Sequence, residues 1–579
     1  MKLLRLKITD PKGFRSLQEG FEYHFRRDWQ LDEGKIAFAP FVCAGPNGSG
    51  KSNLLEALAL IFYQLEVLRV RRRFLPENFP GEEDVVADAE VHHDILDAYE
   101  LEYQIYLKDF DSWTDVLVSK IKGESPDIYC NDVNLFEPKS EDPYVSEDST
   151  RSSLLPEFVL GYSSGENEIL SLSFFKMRFI QYDEYLNALQ KQLPYPGRPE
   201  TRMAYLDNSF SQAILITNLL FYQENELAPF KEDIGIGALK EFRIVIRRSI
   251  QVDAETASLF EDKNPALIHD SETGTYTVDV IKLLEADDDS AENFDPIVTR
   301  LKRCATCYFV EEATDTLHLD YWVNDATREA FSKNFDFAEN ESPIALFQAF
   351  QVLLTLNLYS VSLKLKEELY HSDSHYVNET VPTLASDERI MRFKYVRFMK
   401  EDSDDYFMLK SLSDGEHQLL HSLGLCMLFK NTNSLFLLDE PETHFNPDWR
   451  SNFITRLHQC FKDSTGHREM LITTHTPFLI SDSQPDKVLV FSKEDGIVSV
   501  QHPEYNTLGA SINKITMNTF NKEETIGRRA QTILEELKNR VEAGESKEEI
   551  IELMNSQLGD SIEKMLAIKS ILNSEKTND

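Results

Sequence analysis

Six cysteines in 579 residues are too few to staple a fold of this size, so a disulfide-framed scaffold is excluded and reduced thiols are expected. Cations are also scarce: 60 Lys and Arg stand against 99 Asp and Glu, a net charge of −39. A field of that sign repels phosphate backbones and anionic lipid, so any nucleic-acid contact must be local. No apolar run is long enough to span a bilayer; the most apolar stretch, Phe347 to Leu363, is broken by Gln351, Thr355, Asn357 and Ser360. The first residues, MKLLRLKITDPKG, lack the apolar centre of a secretory leader. A cytoplasmic protein with no membrane partner is the expectation. Long coiled-coil arms are missing too, because Pro194, Pro196, Pro199, Pro229, Pro265, Pro296 and Pro343 interrupt every candidate heptad run. No internal repeat of fixed period is present.

What the chain does contain is ample core material, with 41% hydrophobic and 11% aromatic residues, enough for several folded units. Residues 1–170 read as an α/β lobe, with strands at Leu3 to Ile8, up to Cys43, at Ala98 to Leu107 and at Phe158 to Gly161. An acidic loop near 140–149 reads as solvated surface. Residues 171–390 read as a mostly helical inserted module with a strand at Phe242 to Arg247 and a hairpin at Thr306 to Val323. Residues 391–515 return to alternating strands and helices, and 516–579 form a helical tail. In that tail Ile526, Ala530, Ile533, Leu534, Leu537 and Val541 share one helical face, and Ser546 with Glu549 forms a capping box.

The chemistry-bearing strings fall in the two α/β lobes. Gly45, Pro46, Asn47, Gly48, Ser49, Gly50, Lys51 and Ser52, followed by Asn53, satisfy G-x-x-x-x-G-K-S between an apolar strand and a helix. Such a loop points backbone N–H groups at phosphate oxygens, and the helix N-terminus adds partial positive charge. Lys51 is placed to neutralise the β and γ phosphates of ATP and Ser52 to ligate Mg²⁺. Leu435 to Pro441 is an apolar strand that delivers two adjacent carboxylates, Asp439 for Mg²⁺ and Glu440 as the base that orients the attacking water. Two further strings follow the same strand-to-turn pattern. Ser411-Leu-Ser413-Asp414-Gly415-Glu416 opens a helix, and Leu471 to Pro477 ends a strand on His475.

These four ordered strings, with Phe14-Arg15-Ser16-Leu17 after the first strand, resemble the SMC/RecF/OLD branch of ABC-class P-loop ATPases. The resemblance covers roughly residues 1–170 and 391–515 and implies an ATPase head built from both lobes. It implies that Ser413, Gly415 and Glu416 act as the signature that meets the γ-phosphate held by another subunit's P-loop, so that ATP drives formation of a homodimer or a higher even oligomer. It also implies that His475 contacts the γ-phosphate and the attacking water, and that Arg15 belongs to the nucleotide site. Asp414 stands where the family has Gly, Gly13 where it has Asn, and Asn446 where it has His. Ser164 to Asn167 is the positional candidate for the family's Q-loop.

Within that branch, DEPETHFNP and THTPFLISD look like strings of bacterial defence ATPases. The arms of SMC proteins are missing, and the roughly 80 residues after Val500 hold no D-x-D cluster of a Toprim nuclease. The chain therefore resembles the ATPase subunit of a two-component anti-phage system such as Septu, which implies a separate nuclease partner such as an HNH protein. Two alternatives stay open: a RecF-like repair ATPase that clamps DNA, and a scaffold glued by nucleotide without turnover. The clamp reading draws on three basic clusters, Arg69 with Arg71, Arg72 and Arg73, then Arg243 with Arg247 and Arg248, then Arg300 with Lys302 and Arg303. The same clusters also read as ordinary ion-paired surface. Cys304 and Cys307 supply half a zinc tetrahedron, but no second pair is present to complete it.

Overall fold

In a computed structural model the chain is described except for residues 27–37, 75–95, 131–152, 165–169, 194–197, 200, 206, 208, 224, 262, 286–295, 336–341, 372–380, 383, 401–402, 463, 521, 523–525 and 574–579. The acidic loop at 140–149 lies outside the described residues.

A seven-stranded sheet is the centre of the molecule. Its order is Ile497–Gln501, Val488–Glu494, Phe41–Ala44, Glu469–Thr473, Ser434–Asp439, Phe158–Ser163 and Met203–Tyr205. All neighbours are parallel except the first two. Near-continuous apolar runs such as Leu435 to Leu438 belong in such a sheet because both of its faces are covered. Side chains of alternate residues feed two cores. Val42, Leu160, Phe436 and Ile472 point into one. Phe41, Val159, Leu437 and Leu471 point into the other, together with Leu54, Leu58 and Phe62 of the helix Lys51–Phe74.

An antiparallel sheet of Glu22–His24, Lys2–Ile8, Tyr99–Leu107, Ser112–Lys120 and Asp127–Cys130 joins the second core. The two ends of the sequence are knitted together there. The Leu3 amide donates to Glu469 Oε2 at 2.8 Å, and Arg26 forms an ion pair with the same buried carboxylate. One α/β head is thus built from N- and C-terminal segments.

Strand pairing crosses residues 170 and 390. Met203–Tyr205 hydrogen-bonds to Phe158–Ser163 and extends the central sheet, while the helix Ser171–Gln190 crosses so near that a Cβ on Gly161 would lie 2.5 Å from the Phe174 ring. Met391–Lys400 and Ser403–Met408 pair instead with the inserted segment, forming the antiparallel order Cys307–Glu311, Thr316–Trp322, Ile236–Arg247, Met391–Lys400, Ser403–Met408. The reason is long-range register: Phe393 opposite Ile244 places both apolar faces on one helical layer.

The stretch Pro343–Ser360 is apolar and long enough to cross a membrane by composition, where the sequence reading found no such segment, but 61% of it is buried inside the fold. Leu346, Phe347, Phe350 and Leu353 there are core residues. At the C-terminus the helices Arg528–Glu542, Lys547–Gln557 and Ile562–Asn573 pack on one another around Leu534, Leu537, Ile550, Met554, Ala567 and Ile571. Ser546 caps the second of them by accepting from the Glu549 amide.

Candidate nucleotide site

Phe41–Ala44, Glu469–Thr473 and Ser434–Asp439 are adjacent and parallel, so their carboxyl ends lie side by side at one edge of the sheet. That edge is where open α/β sheets bind ligands. The three ends carry the Gly45 loop, His475 and the Asp439–Glu440 pair, so three strings far apart in sequence meet through sheet order alone.

The loop needs its glycines. Gly45, Gly48 and Gly50 have φ of 143°, 73° and 101°, and a Cβ on Gly45 would lie 2.3 Å from the Phe491 carbonyl oxygen. Lys51 Nζ donates to the Gly45 and Pro46 carbonyls at 3.0 Å each, and burial lowers its pKa while Glu440 and Asp439 oppose the shift. The Ser52 hydroxyl donates to Asp439 Oδ1 at 2.8 Å, and Thr473 Oγ1 donates to the same oxygen at 2.5 Å. Burial raises the Asp439 pKa, and both hydroxyls work against that rise.

Glu440 sits at φ 48°, a left-handed conformation costly for a non-glycine residue and held here by its amide donating to Thr473 Oγ1 at 3.0 Å. Its Oε1 lies 2.8 Å from His475 Nε2. The His475 contact, more than any other cause, holds the Glu440 carboxyl below the usual range, so it is ionised at neutral pH and able to accept a hydrogen bond from water.

Behind it, Glu442 is 3% exposed and accepts from the Thr474 hydroxyl. Burial pushes its pKa up to about 7, with the neighbouring Glu440 charge adding to the rise. Thr474 precedes His475, so this carboxyl fixes the turn that carries the histidine.

A cavity of about 790 Å³ lies over the loop, lined by Pro46, Asn47, Gly48, Gly50, Lys51, Ser52, Asn53, Glu440 and His475. Thr516, Phe520 and Lys522 line it too. These last three were missed from sequence because nothing in the helix Ile512–Thr519 or the residues after it marks a ligand contact.

The residues fit a Mg²⁺-bound nucleoside triphosphate on two observations. The Ser49 hydroxyl is buried without a hydrogen-bond partner inside the loop. Ser52 and Asp439 bring two hard oxygen donors together, the set a Mg²⁺ ion uses alongside phosphate and water. Bound there, the ion would supply charge neutralisation for the phosphoryl oxygens. The chain's own contribution would be positional: the loop would orient the phosphates, Lys51 would carry positive charge to them, and Glu440 with His475 would order water.

Arg15 and the residues of the Ser413 string have other partners. Arg15, at φ 53°, donates from Nε and Nη2 to the single oxygen Glu56 Oε1 at 3.0 and 2.9 Å, and Ser16 donates to Asn53 at 2.6 Å, bracing the first helix from the side. Ser413 is the N-cap of the helix Asp414–Leu428 in a reciprocal capping box, its amide and hydroxyl donating to Glu416 at 2.6 and 2.7 Å. A Cβ on Gly415 would lie 2.7 Å from the His444 carbonyl oxygen, so the helix start packs on the loop that follows Glu440. Ser413, Gly415 and Glu416 are not among the residues lining the cavity. Ser164 donates to Thr443 Oγ1 at 2.9 Å beside that loop, and the rest of the Q-loop candidate lies outside the described residues.

The basic clusters separate. Arg300 is 3% exposed, Lys302 pairs with Glu285 at 3.2 Å, and Arg243 with Asp320 at 2.5 Å. The side chains of Arg69 to Arg73 lie outside the described ones. Cys304 is buried and Cys307 exposed, both free thiols.

Residues 312–481 match the family described as "AAA domain, putative AbiEii toxin, Type IV TA system", a span holding Asp439, Glu440 and His475 but not the Gly45 loop. No curated protein matches the chain. Among solved structures, the fold is similar at a low level to an Smc head bound to the C-winged helix domain of ScpA (10% identity, 87% of this chain and 98% of that one, TM-score 0.31). Others are the SMC head domain from Thermotoga maritima (11%, 87% and 100%, TM-score 0.30) and the recombination mediator protein RecF-ATPrS of the RecFOR pathway (13%, 86% and 97%, TM-score 0.28).

Proposed function

We propose that this chain is a Mg²⁺-dependent ATPase that hydrolyses ATP to ADP and phosphate, and that a second copy completes each reaction centre with its Ser413–Glu416 segment. The observation that carries the reading is the meeting of Lys51, Ser52, Asp439, Glu440 and His475 at one sheet edge while the Ser413 segment stays outside their cavity. Glu440 acts as the base and His475 as its positioning partner. Phosphate release with purified protein tests the reading: turnover should require Mg²⁺, rise steeper than linearly with protein concentration, and vanish in Lys51→Ala. Turnover proportional to concentration down to the nanomolar range would defeat the shared site.

We further propose that nucleotide state controls a separate nuclease in anti-phage defence. Support comes from the defence-like strings around Asp439 and His475, and the toxin and TA system in the matched family's description are in keeping with it. The last helix leaves Ile562, Met565, Leu566 and Leu572 exposed, which supports the tail as the place where such a subunit docks. Co-purification with the product of the adjacent gene, with and without residues 526–573, tests this; no retained partner in either form counts against it.

A further inference from the structure

One face of the inserted antiparallel sheet packs on helices; the other carries rings and cations in the open. Register puts Phe242, Ile244 and Ile246 inward, against Tyr321, Leu319 and Leu317. The residues between them therefore point outward, so Arg243 faces the same side as Asp320 and Lys394, and Phe309 stands opposite His318. Phe309, Trp322 and Tyr395 on this side are 43%, 47% and 40% exposed. Large rings left in water on a flat sheet are a surface that monomeric proteins normally avoid.

The rings are set among cations. The Arg243 guanidinium lies 5.7 Å from the Phe309 ring centre and 5.6 Å from that of Tyr395. Lys394 and Arg397 approach the same tyrosine ring at 5.0 and 5.7 Å, so three cations surround one exposed ring. Asp320 and Glu241 pair with Arg243 and Arg397 and hold their guanidinium groups near the rings. Among the described side chains, register places on this side five cations, Arg243, Arg247, Arg392, Lys394 and Arg397, and the carboxylates of Glu241, Asp320 and Glu311. Among these described side chains cations outnumber carboxylates, in a chain of net charge −39.

Tyr395 is also held under strain. Between Lys394, opposite Arg243, and Arg397, opposite Glu241, its strand carries one residue more than its neighbour, a β-bulge. Tyr395 occupies it at φ 56°, where an aromatic residue is unfavourable. A bulge re-aims a side chain, and strain of this kind concentrates at binding sites.

We propose that this sheet face binds single-stranded nucleic acid, with bases stacking on Tyr395 and Phe309 and phosphates meeting Lys394, Arg397 and Arg243. The chemistry favours a single strand over a duplex, because a duplex keeps its bases stacked on each other and offers the rings nothing to stack on. This site is separate from the nucleotide cavity and does not depend on how ATP turnover is organised.

The test is fluorescence anisotropy with full-length protein and fluorescein-labelled oligothymidylate, oligouridylate and a blunt DNA duplex, each of about 20 nucleotides or base pairs, at about 50 mM salt. Either single strand should bind, with a preference between them reporting contact to the 2′-hydroxyl, and the duplex should bind at least tenfold more weakly, taking about tenfold as the weight of one stacked base. Tyr395→Ala should weaken single-strand binding roughly 5- to 150-fold, the range for loss of one base stack. Tyr395→Phe should bind within about twofold of the parent, since the π-face remains. Mg²⁺-ATP turnover without nucleic acid should be unaltered in both variants. Should Tyr395→Ala fail to fold, cross-links from bromouridine-substituted strands must still map to the Tyr395 or Phe309 segments. Absence of single-strand binding, equal affinity for the duplex, unchanged affinity in a folded Tyr395→Ala protein, or cross-links confined to other segments would each overturn the proposal.

Discussion

Replacing Glu442 by Gln isolates one titration beside the reaction centre. Its carboxyl is buried, raised from 4.5 to about 7, and the rise is due first to burial. Because the folded pKa lies above the unfolded one, the neutral acid's contribution is complete below pH 4.5 and lost as pH rises through about 7. At 1.36 kcal/mol per unit, the parent should lose about 3 kcal/mol of stability across that window from this group alone. The amide does not titrate, so Glu442→Gln should lack this loss. Glu442 Oε2 has no partner, so the new NH₂ group pays a desolvation cost, but that cost is independent of pH and drops out of the comparison. Urea unfolding of both proteins at pH 5 and pH 8, followed by tryptophan fluorescence, measures it. The variant's stability relative to the parent should rise by about 2.5 kcal/mol between the two pH values, because part of the loss has already occurred at pH 5. A relative change under about 1 kcal/mol would refute a Glu442 carboxyl raised to about 7.

Glu440→Gln should keep ATP binding and lower turnover by a factor on the order of 10² to 10⁴, checked by equilibrium nucleotide binding and phosphate release. His475→Ala frees Glu440 of its main hydrogen-bond donor, so the acidic limb of the pH–rate profile should move to higher pH while nucleotide affinity changes little. Gly45→Ala forces a Cβ to within 2.3 Å of a backbone oxygen, and ATP binding should be lost although the chain folds, as judged by circular dichroism. Leu537→Asp buries a charge in the small tail core and should expose residues 526–573 to protease while leaving the head's ATP affinity intact.

The candidate cradle was legible in the sequence because its parts are local. A glycine loop between an apolar strand and a helix, or two acids ending an apolar strand, carry their geometry in a few consecutive residues. The order of strands that sets Asp439 beside Ser52 is not local, and only the parallel arrangement of three strands from residues 41, 434 and 469 explains it. Long-range register also explains why residues 391–408 belong with the inserted sheet, since their alternation suits either sheet equally. Thr473, which holds Asp439 and the Glu440 amide together, reads as an ordinary strand threonine. Phe520 and Lys522 come to the cavity from the tail, and only the folded path of the chain brings them there. Tyr395 gave no signal either, because a bulge is a mismatch between two strands and is invisible in one of them.

The claim that each reaction centre draws on two copies is tested most directly by mixing two inactive variants, Lys51→Ala and Ser413→Arg. Ser413 is a helix cap on the surface, so its replacement costs about 1 kcal/mol and leaves the fold intact. Neither variant alone should hydrolyse ATP. In an equimolar mixture half of the pairs contain one of each, and in each of these one centre joins an intact Lys51 loop to an intact Ser413 segment. About a quarter of the parental activity should return. A mixture as inactive as its components, or full activity in Ser413→Arg alone, would contradict the account.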